Sequence, residues 1–307
     1  MSGDGGAGEP VGLRDLEPAV VARMVAELPD EQLRELLRGE ARRAALDEVF
    51  RRFPEFVDTA SIRDVEAVVE WVITGAGQAD RYVLLIEHGA CRTSKDLDAE
   101  PRVTFELEGL DFLKLVTGNA DPAVLFLSGA LRLRGDELFA VELGSYFRIP
   151  TVEGDQRAAS GLDPGRPDAS EIARVVADAP DEQLRAAMRS QIRELILDEV
   201  FRRFPEYVDP SKLDGIAGAM EWKVTGRADG RYDRYVVAIE HGEVRAGRDL
   251  DARPRATMRL DGVDFLKLVT GNASPTMSFL RGRLRLKGDL VFAAQLPRVF
   301  RIPSARD

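Results

Sequence analysis

Cysteine, histidine and long apolar runs are scarce in this chain of 307 residues. The single cysteine, Cys91, has no partner for an internal disulfide and no Cys or His at metal-ligand spacing, which indicates a reducing compartment. The sequence has no Gly-x-Ser-x-Gly nucleophile elbow, no Cys-His arrangement, and no His-Glu-x-x-His or paired-cysteine metal motif. We therefore predict no catalytic residue, no metal and no cofactor.

Membrane and nucleic-acid signals are also missing. No apolar run reaches the ~20 residues of a bilayer-spanning helix, and the start MSGDGGAGEP lacks the basic and then apolar pattern of a signal peptide. The net charge of −10 and the pI near 5.0 repel nucleic acid phosphates and anionic lipid headgroups. We predict a cytoplasmic protein without an integral membrane segment or a nucleic acid partner. Its excess of Arg over Lys is typical of a GC-rich bacterial genome.

What the chain does have is an internal repeat. Residues 30–58 match residues 181–209 at about two thirds of positions, and DFLKLVTGNA occurs unchanged at 111–120 and 264–273. The register shifts by two residues where TGAGQADRY becomes TGRADGRYDRY, which indicates a surface turn. A period near 150 residues is too long for a solenoid unit, so each copy is predicted to fold around a complete hydrophobic core of its own.

The repeat and a Gly-, Pro- and Asp-rich stretch between the copies define the predicted domain organisation. We predict a disordered tail 1–12, a first domain 13–150, a linker 151–167, a second domain 168–303 and a tail 304–307.

Within each copy, the apolar periodicity changes from helical to strand-like along the chain. Residues 30–53 predict one or two amphipathic helices after a shorter one. A hairpin and alternating strands follow, with two short helices, the first preceded by Asp111 and ended by Gly118. The stretch SGALRLRGD is predicted to be the last strand, before an apolar segment that closes over the sheet. This order predicts an α+β fold rather than a regular β-α-β alternation.

Both copies resemble the sterol carrier protein type two family of lipid-binding domains. The similar stretches are 111–136 and 264–289, preceded by PRVTFEL and PRATMRL. The resemblance implies a five-stranded mixed sheet covered by helices around an apolar tunnel that accepts fatty acyl chains, acyl-CoA, sterols or other lipids. The family commonly has Lys after the glycine that precedes the last strand. This chain has Ala130 and Arg283 there, so no headgroup contact is expected at this position of the first copy.

The candidate ligand-binding residues are apolar side chains predicted to face the gap between the sheet and the helices. They are Trp71, Phe105, Leu113, Val116, Phe126, Leu133, Phe139, Trp222, Met258, Leu266, Val269, Phe279, Leu286 and Phe292. Plain core packing explains the same residues, because a sequence cannot show a void. Phe105 corresponds to Met258, and Val124 with Leu125 to Met277 with Ser278, so two open pockets would prefer different ligands.

The only histidines, His88 and His241, each follow a strand in Glu-His-Gly. A histidine can act as a general base or a pH switch. No second catalytic group accompanies either one, so the sequence favours a turn.

Two further sets of polar residues also favour structural roles. Asp136 and Asp289 follow a glycine at the end of a strand, where an Asp usually bonds to its own backbone. The arginine pairs in VFRRFPE, at 51–52 and 202–203, could meet an anionic headgroup. A solvated helix face is the favoured interpretation of these pairs.

The leading hypothesis is a non-catalytic carrier or sequestering protein for a hydrophobic ligand, such as a fatty acyl, acyl-CoA, sterol-like, isoprenoid or polyketide molecule. Each buried methylene of a ligand contributes about 0.8 kcal/mol to binding, so burial of an acyl chain gives micromolar affinity without any catalytic group. The alternative is a protein-protein interaction module whose folds have filled cores and bind no lipid. A lipid-modifying enzyme is a third hypothesis, for which the sequence offers no obvious set of polar residues.

Overall fold

The computed structural model describes residues 16–150, 156–158 and 168–301. The chain divides into two compact units, one built mainly from the described residues up to 150 and the other mainly from those after 168. The predicted tails 1–12 and 304–307 lie outside the described residues. The domain boundaries themselves stay a prediction.

The first unit begins with helices and continues with a sheet that two short helices interrupt. Its elements are α1 Pro18–Glu27, α2 Asp30–Leu36, α3 Gly39–Arg52, β1 Ala67–Gly75, β2 Gln78–Glu87, β3 Ala90–Ser94, β4 Val103–Glu108, α4 Gly109–Val116, α5 Pro122–Ser128, β5 Arg132–Gly135 and α6 Glu137–Gly144, followed by β6 Arg148–Pro150 and β7 Gln156–Ala158.

The second unit repeats this order. Its elements are α7 Ala169–Asp178, α8 Asp181–Ala187, α9 Arg193–Arg203, β8 Gly218–Thr225, β9 Asp233–Glu240, β10 Glu243–Gly247, β11 Pro254–Asp261, α10 Gly262–Val269, α11 Pro275–Leu280, β12 Leu284–Gly288 and α12 Leu290–Val299.

Each unit contains a five-stranded mixed sheet. The strand orders are β3-β2-β1-β4-β5 and β10-β9-β8-β11-β12. The central pairs, β1 with β4 and β8 with β11, are parallel, and the other neighbouring pairs are antiparallel. This confirms the predicted α+β class and the mixed five-stranded sheets.

Two details of the predicted elements are wrong. Helix α4 begins at Gly109, so Asp111 lies in its first turn rather than before it. The negative charge there still favours the helix, because it faces the positive end of the helix dipole. The strand β5 is not the last strand of the first copy, because β6 pairs with β7 of the predicted linker in an antiparallel ladder. Gly118 does end α4, with a φ of 71°.

The unchanged segment DFLKLVTGNA holds the N-terminal helices on the rest of the domain. Asn119 Nδ2 donates to the carbonyl of Ala22 on α1 at 2.9 Å, and Lys114 pairs with Asp30 of α2 at 2.6 Å. The second copy has the same two contacts, Asn272 to Ala173 at 2.7 Å and Lys267 to Asp181. The identity of this segment between the copies therefore has a structural cause.

The Glu-His-Gly segments form tight hairpin turns. His88 and Gly89 have φ of 52° and 74°, and His241 and Gly242 have 53° and 77°. Two successive residues with positive φ are the mark of a type I′ turn, which matches the twist of a two-residue hairpin. The favoured interpretation of both histidines as turn residues agrees with this geometry.

Replacing His241 by Val is expected to lower the unfolding free energy of its domain by about 1–2 kcal/mol, because a β-branched residue is strained at positive φ. His241→Asn is the control, since Asn tolerates this conformation, and it is expected to stay within about 0.5 kcal/mol. Urea unfolding of the two variants measures the difference. Equal stability of the two variants would contradict the turn argument.

Candidate functional site

The predicted lining residues of the sheet lie side by side in one row across it. In the first unit the register pairs Trp71 with Tyr82 and with Phe105, and Phe105 with Leu133. Trp71 and Phe105 stack with ring centroids 4.3 Å apart. Successive residues of a strand point to opposite faces, and the residues of this row are those that the strands bury toward the helices.

The helices cover this row with aromatic rings. Phe50 of α3 stacks on Tyr82 at 3.9 Å and on Phe112 of α4 at 5.0 Å. Phe53 meets Trp71 edge to face at 5.8 Å. Sequence reasoning did not include Phe50, Phe53 or Phe112 among the candidates. Their helical spacing was visible, but spacing alone does not show which face of a helix meets the sheet.

The second unit builds the same site with one main change. Trp222 pairs with Tyr235 and with Met258, and Met258 pairs with Leu286. Phe201 stacks on Tyr235 at 4.1 Å. A flexible thioether side chain thus replaces the ring that stacks on the tryptophan in the first unit.

The other candidates of the first unit divide between two clusters. Val116 packs against the main core, whereas Leu113 packs against a separate cluster formed by the N-terminal helices. Phe139 is buried in the main core, and Phe126 on α5 is half-buried.

The candidates of the second unit differ more in exposure. Leu266 and Phe292 are buried, and Val269 and Leu286 are half-buried. Phe279 on α11 is 46% exposed, so in this conformation its ring meets solvent.

The two tryptophans share an unusual feature. Trp71 and Trp222 are only 5% and 7% exposed, and among the described residues no acceptor lies within hydrogen-bonding distance of either indole Nε1. A buried indole N–H usually has a partner, because leaving it without one costs free energy. The feature recurs in both copies although the neighbouring Phe105 is replaced by Met258, so it belongs to the site itself.

The buried side chains of the two units differ in size at two equivalent positions. Phe105 and Leu125 are buried in the first unit, and their counterparts Met258 and Ser278 are buried in the second. Both replacements shorten or slim the side chain. Less of the second interior is therefore filled by its own side chains at these positions.

A tyrosine at one end of each row bonds to a carboxylate. The hydroxyl of Tyr82 donates to Asp47 at 2.6 Å, and that of Tyr235 donates to Asp198 at 2.6 Å. Burial, followed by the bond to the carboxylate, raises the pKa of both tyrosines far above the ordinary value. Both phenols stay neutral at physiological pH and serve as donors.

The remaining polar candidates have structural partners. Asp136 caps α6 by accepting from the backbone N–H of Phe139 at 2.9 Å, and Asp289 caps α12 in the same way. The backbone bond, with help from Arg102, lowers the pKa of Asp136. Burial raises the pKa of the Cys91 thiol to about 11, so the thiol is protonated and unreactive at neutral pH.

The arginine pairs bond mainly along their own helices. Arg51 is paired with Glu48 at 2.6 Å and is 60% exposed, which agrees with a solvated helix face. Arg52 is paired with Glu55 at 3.2 Å and is 18% exposed. Its guanidinium also donates to the carbonyl of Leu16 at 3.0 Å.

A surface pocket of about 540 Å³ opens in the first unit away from these residues. Its lining includes Glu66, Glu87, His88, Glu100 and Arg102 and none of the predicted ligand-binding residues. The second copy has Ala217 and Arg253 in place of Glu66 and Glu100, so this set of charges is not a shared feature of the fold.

The fold and the sequence together decide the family. The profile of the SCP-2 sterol transfer family matches residues 46–148 and again residues 197–301. This chain belongs to the SCP-2 sterol transfer family. It carries the SCP-2 domain as a tandem duplication, as the internal repeat predicts.

Known proteins similar to this chain match it over single-domain lengths. Sterol carrier protein 2 of Arabidopsis thaliana is 37% identical over 71 residues, which are 23% of this chain and 58% of that protein. Hydroxysteroid dehydrogenase-like protein 2 of Xenopus tropicalis is 26% identical over 104 residues, or 34% of this chain and 24% of that protein. The chain therefore spans less than two thirds of either relative.

Solved structures of the family are more distant in sequence. The crystal structure of Sterol Carrier Protein 2 Like 2 from Aedes aegypti is 23% identical, with a TM-score of 0.28, and the match covers 35% of this chain and 95% of that one.

The described residues contain neither a membrane-spanning helix nor a cluster of metal-ligating side chains. In residues 16–150, 156–158 and 168–301, no helix is both long and apolar enough to cross a bilayer. In the same ranges, no group of three or more His, Cys, Asp or Glu side chains is placed to hold a metal ion.

Proposed function

We propose that each SCP-2 domain binds one hydrophobic molecule between its sheet and its helices and that the chain carries or sequesters these molecules in the cytoplasm. Family membership supports binding of a lipid-like ligand. The rows that contain Trp71 and Trp222 supply the apolar surface in this proposal. The ligand classes are fatty acyl, acyl-CoA, sterol-like, isoprenoid and polyketide molecules, and the chemistry remains binding and transfer rather than catalysis.

The observation that carries this proposal is the pair of buried indole N–H groups without an acceptor among the described residues. A bound molecule with a carbonyl or hydroxyl oxygen would satisfy them, whereas a pure hydrocarbon would not. The surrounding rings offer only weaker N–H···π contacts. The proposed ligand is therefore apolar over most of its length and carries a hydrogen-bond acceptor beside the tryptophan.

The chain contains two tryptophans, one in each domain, so fluorescence can report on each site. In Trp71→Phe the emission comes from Trp222 alone, and in Trp222→Phe from Trp71 alone. Titration with hexadecanoic acid is expected to change the emission of both variants. Each Trp→Phe change is expected to weaken binding in its own domain by up to about tenfold, the value of one hydrogen bond. Because the change removes that domain's own reporter, this loss is measured by displacement of a fluorescent fatty acid.

Two controls complete this experiment. Hexadecane has no hydrogen-bond acceptor, so it is expected to bind the unchanged chain and the Trp→Phe variants equally well. Its affinity is measured by competition with a fluorescent fatty acid. Organic extraction of the purified chain followed by mass spectrometry is expected to release a lipid. A chain that releases no lipid and takes up no fluorescent fatty acid would overturn the proposal.

The close aromatic packing favours a second candidate function, an interaction module with a filled core. The ring centroid of Phe50 lies 3.9 Å from that of Tyr82 and 5.0 Å from that of Phe112. This stacking leaves little room between the rings. If both lipid tests fail while the chain remains folded, this function becomes the better explanation. The chain also matches part of a hydroxysteroid dehydrogenase-like protein. If the chain acted on its bound lipid as an enzyme, an assay of that lipid would reveal a chemical change.

A further inference from the structure

The outer face of the sheet carries different charges in the two domains. In the first domain Glu106 on β4 pairs with both Arg132 and Arg134 of the edge strand β5. The counterpart of Glu106 in the second domain is Arg259, which lies directly opposite Arg285 on β12. One charge reversal thus replaces an ion-paired cluster with like charges side by side.

Other differences between the copies add to this positive charge. Ser128 and Ala130 of the first copy correspond to Arg281 and Arg283 of the second. Arg283 lies 3.5 Å from Asp264. Among residues 16–150, 156–158 and 168–301, no carboxylate forms an ion pair with Arg259, Arg281, Arg285 or Lys287.

The same edge of the second sheet exposes large apolar side chains. Leu280, at the end of α11, is 70% exposed, and Phe279 beside it is 46% exposed. Leu290 and Val291, which begin α12 just after β12, are 53% and 73% exposed. The edge strand β12 therefore has exposed apolar residues at both of its ends and cations between them.

We name this region the β12 surface. It consists of Phe279, Leu280, Leu290, Val291, Arg259, Arg281, Arg283, Arg285 and Lys287.

We propose that the β12 surface docks the second domain on a lipid bilayer that contains anionic lipids. Cations are attracted to the negative surface potential of such a bilayer, and apolar side chains gain by entering the boundary between headgroups and acyl chains. An acidic protein partner would meet the cations, but it would not by itself account for the apolar residues at both ends of the strand.

The net charge of −10 does not oppose this docking at short range. Exposed charges are screened beyond about 10 Å at 0.1 M salt, so a bilayer in contact with the β12 surface interacts mainly with the cations of that surface. In the described part of the first domain, residues 16–150, the equivalent cations on β5 are paired with Glu106.

The test uses the full chain and co-sedimentation with vesicles of phosphatidylcholine, with or without phosphatidylglycerol at about 30% of the lipid. The chain is expected to bind the anionic vesicles at 0.1 M salt and to be largely released at 1 M salt, where the screening length is about 3 Å. Little binding to the neutral vesicles is expected. Equal binding to both vesicles, or none to the anionic vesicles, would overturn the proposal.

Arg259→Glu restores the charge pattern of the first domain, with an acid opposite Arg285 and Lys287. It is expected to weaken binding to anionic vesicles at least tenfold, since one cation near such a surface is worth about a factor of five. The matched control is Arg245→Glu, which makes the same charge change on β10 at the opposite edge of the same sheet. This control is expected to change binding by less than about threefold.

The double variant Leu280→Ser with Val291→Ser tests the apolar part. It is expected to weaken binding to the same vesicles about tenfold while leaving the salt dependence in place. If Arg245→Glu weakened binding as much as Arg259→Glu, net charge rather than the β12 surface would be responsible. These readouts need no bound lipid in the interior, so they are independent of the ligand tests above.

Discussion

Replacing Arg193 by leucine is expected to lower the unfolding free energy of the second domain by about 3–5 kcal/mol, because three buried oxygens each lose a hydrogen bond at about 1–3 kcal/mol. Arg193 lies at the start of α9, and its side chain is 4% exposed. Its guanidinium donates to Asp233 at 2.7 Å and to the carbonyls of Val224 and Thr225, each at 3.0 Å. Leucine fills part of the space but leaves the two carbonyls and Oδ2 of Asp233 without this donor, while Oδ1 of Asp233 keeps its ion pair with Arg227 at 2.6 Å.

The first domain supplies a matched comparison. Arg42 donates to Asp80 at 2.9 Å and to the carbonyl of Ile73 at 2.7 Å. The side chain of Asp80 is 21% exposed, whereas that of Asp233 is 1% exposed. Water can solvate Asp80 after Arg42→Leu, so the expected loss is smaller, about 2–3 kcal/mol.

Hydrogen-exchange mass spectrometry in increasing urea measures the stability of each domain in the intact chain. Arg245→Leu, which removes an exposed ion pair, is the control and is expected to cost less than about 1 kcal/mol. A loss below 1 kcal/mol for both buried arginines would show that the guanidinium bonds do not stabilise the fold.

These two arginines show what the sequence could not reveal about the fold. An arginine in a helix with many charged residues is usually exposed, so Arg42 and Arg193 were not singled out. The only available signal is that the copies share both the arginine and the later aspartate, Asp80 or Asp233. The pairing itself depends on how the hairpin crosses the helix, which residue periodicity does not encode.

Strand periodicity predicts part of the geometry of the candidate site. Alternation along the strands correctly placed Trp71, Phe105 and Leu133 on one face, and the register makes them neighbours. Helical periodicity does not give the face that meets the sheet, so the candidates include Leu113 but not Phe112. Phe112 faces the aromatic cluster, whereas Leu113 packs against the N-terminal helices. One residue rotates a helix by about 100°, at 3.6 residues per turn, so the relevant face is known only once the helix has been placed.

Net charge was informative for the whole chain but not for one surface. A value of −10 argued against contact with anionic lipids, yet the structure collects exposed arginines at β12. The comparison of copies contained the signal, because Glu106 and Arg259 occupy equivalent positions. Its meaning depended on the strand pairing that puts Arg259 beside Arg285.

The second large expected effect concerns ligand choice and rests on the proposed function. Met258→Phe with Ser278→Leu gives the second domain the side chains of the first at two buried positions where its own side chains are smaller. A bulky sterol-like ligand is expected to lose the contacts of about two to three methylenes, or about 2 kcal/mol. Its affinity for the second domain would fall about 30-fold. A straight-chain fatty acid, which is thinner, is expected to lose less than about threefold.

Titration of Trp222 emission in a Trp71→Phe background measures both affinities in the second domain alone. Added volume in a packed interior can cost about 1–3 kcal/mol of stability, so urea unfolding must first show that the double variant is folded. Met258→Phe alone, a milder change, is expected to give an intermediate effect in the same direction. The reciprocal Phe105→Met, read from Trp71 in a Trp222→Phe background, is expected to improve binding of the sterol-like ligand in the first domain. If the two ligands respond equally to all of these changes, the differences beside the tryptophans do not select the ligand, and the two domains bind with the same preference.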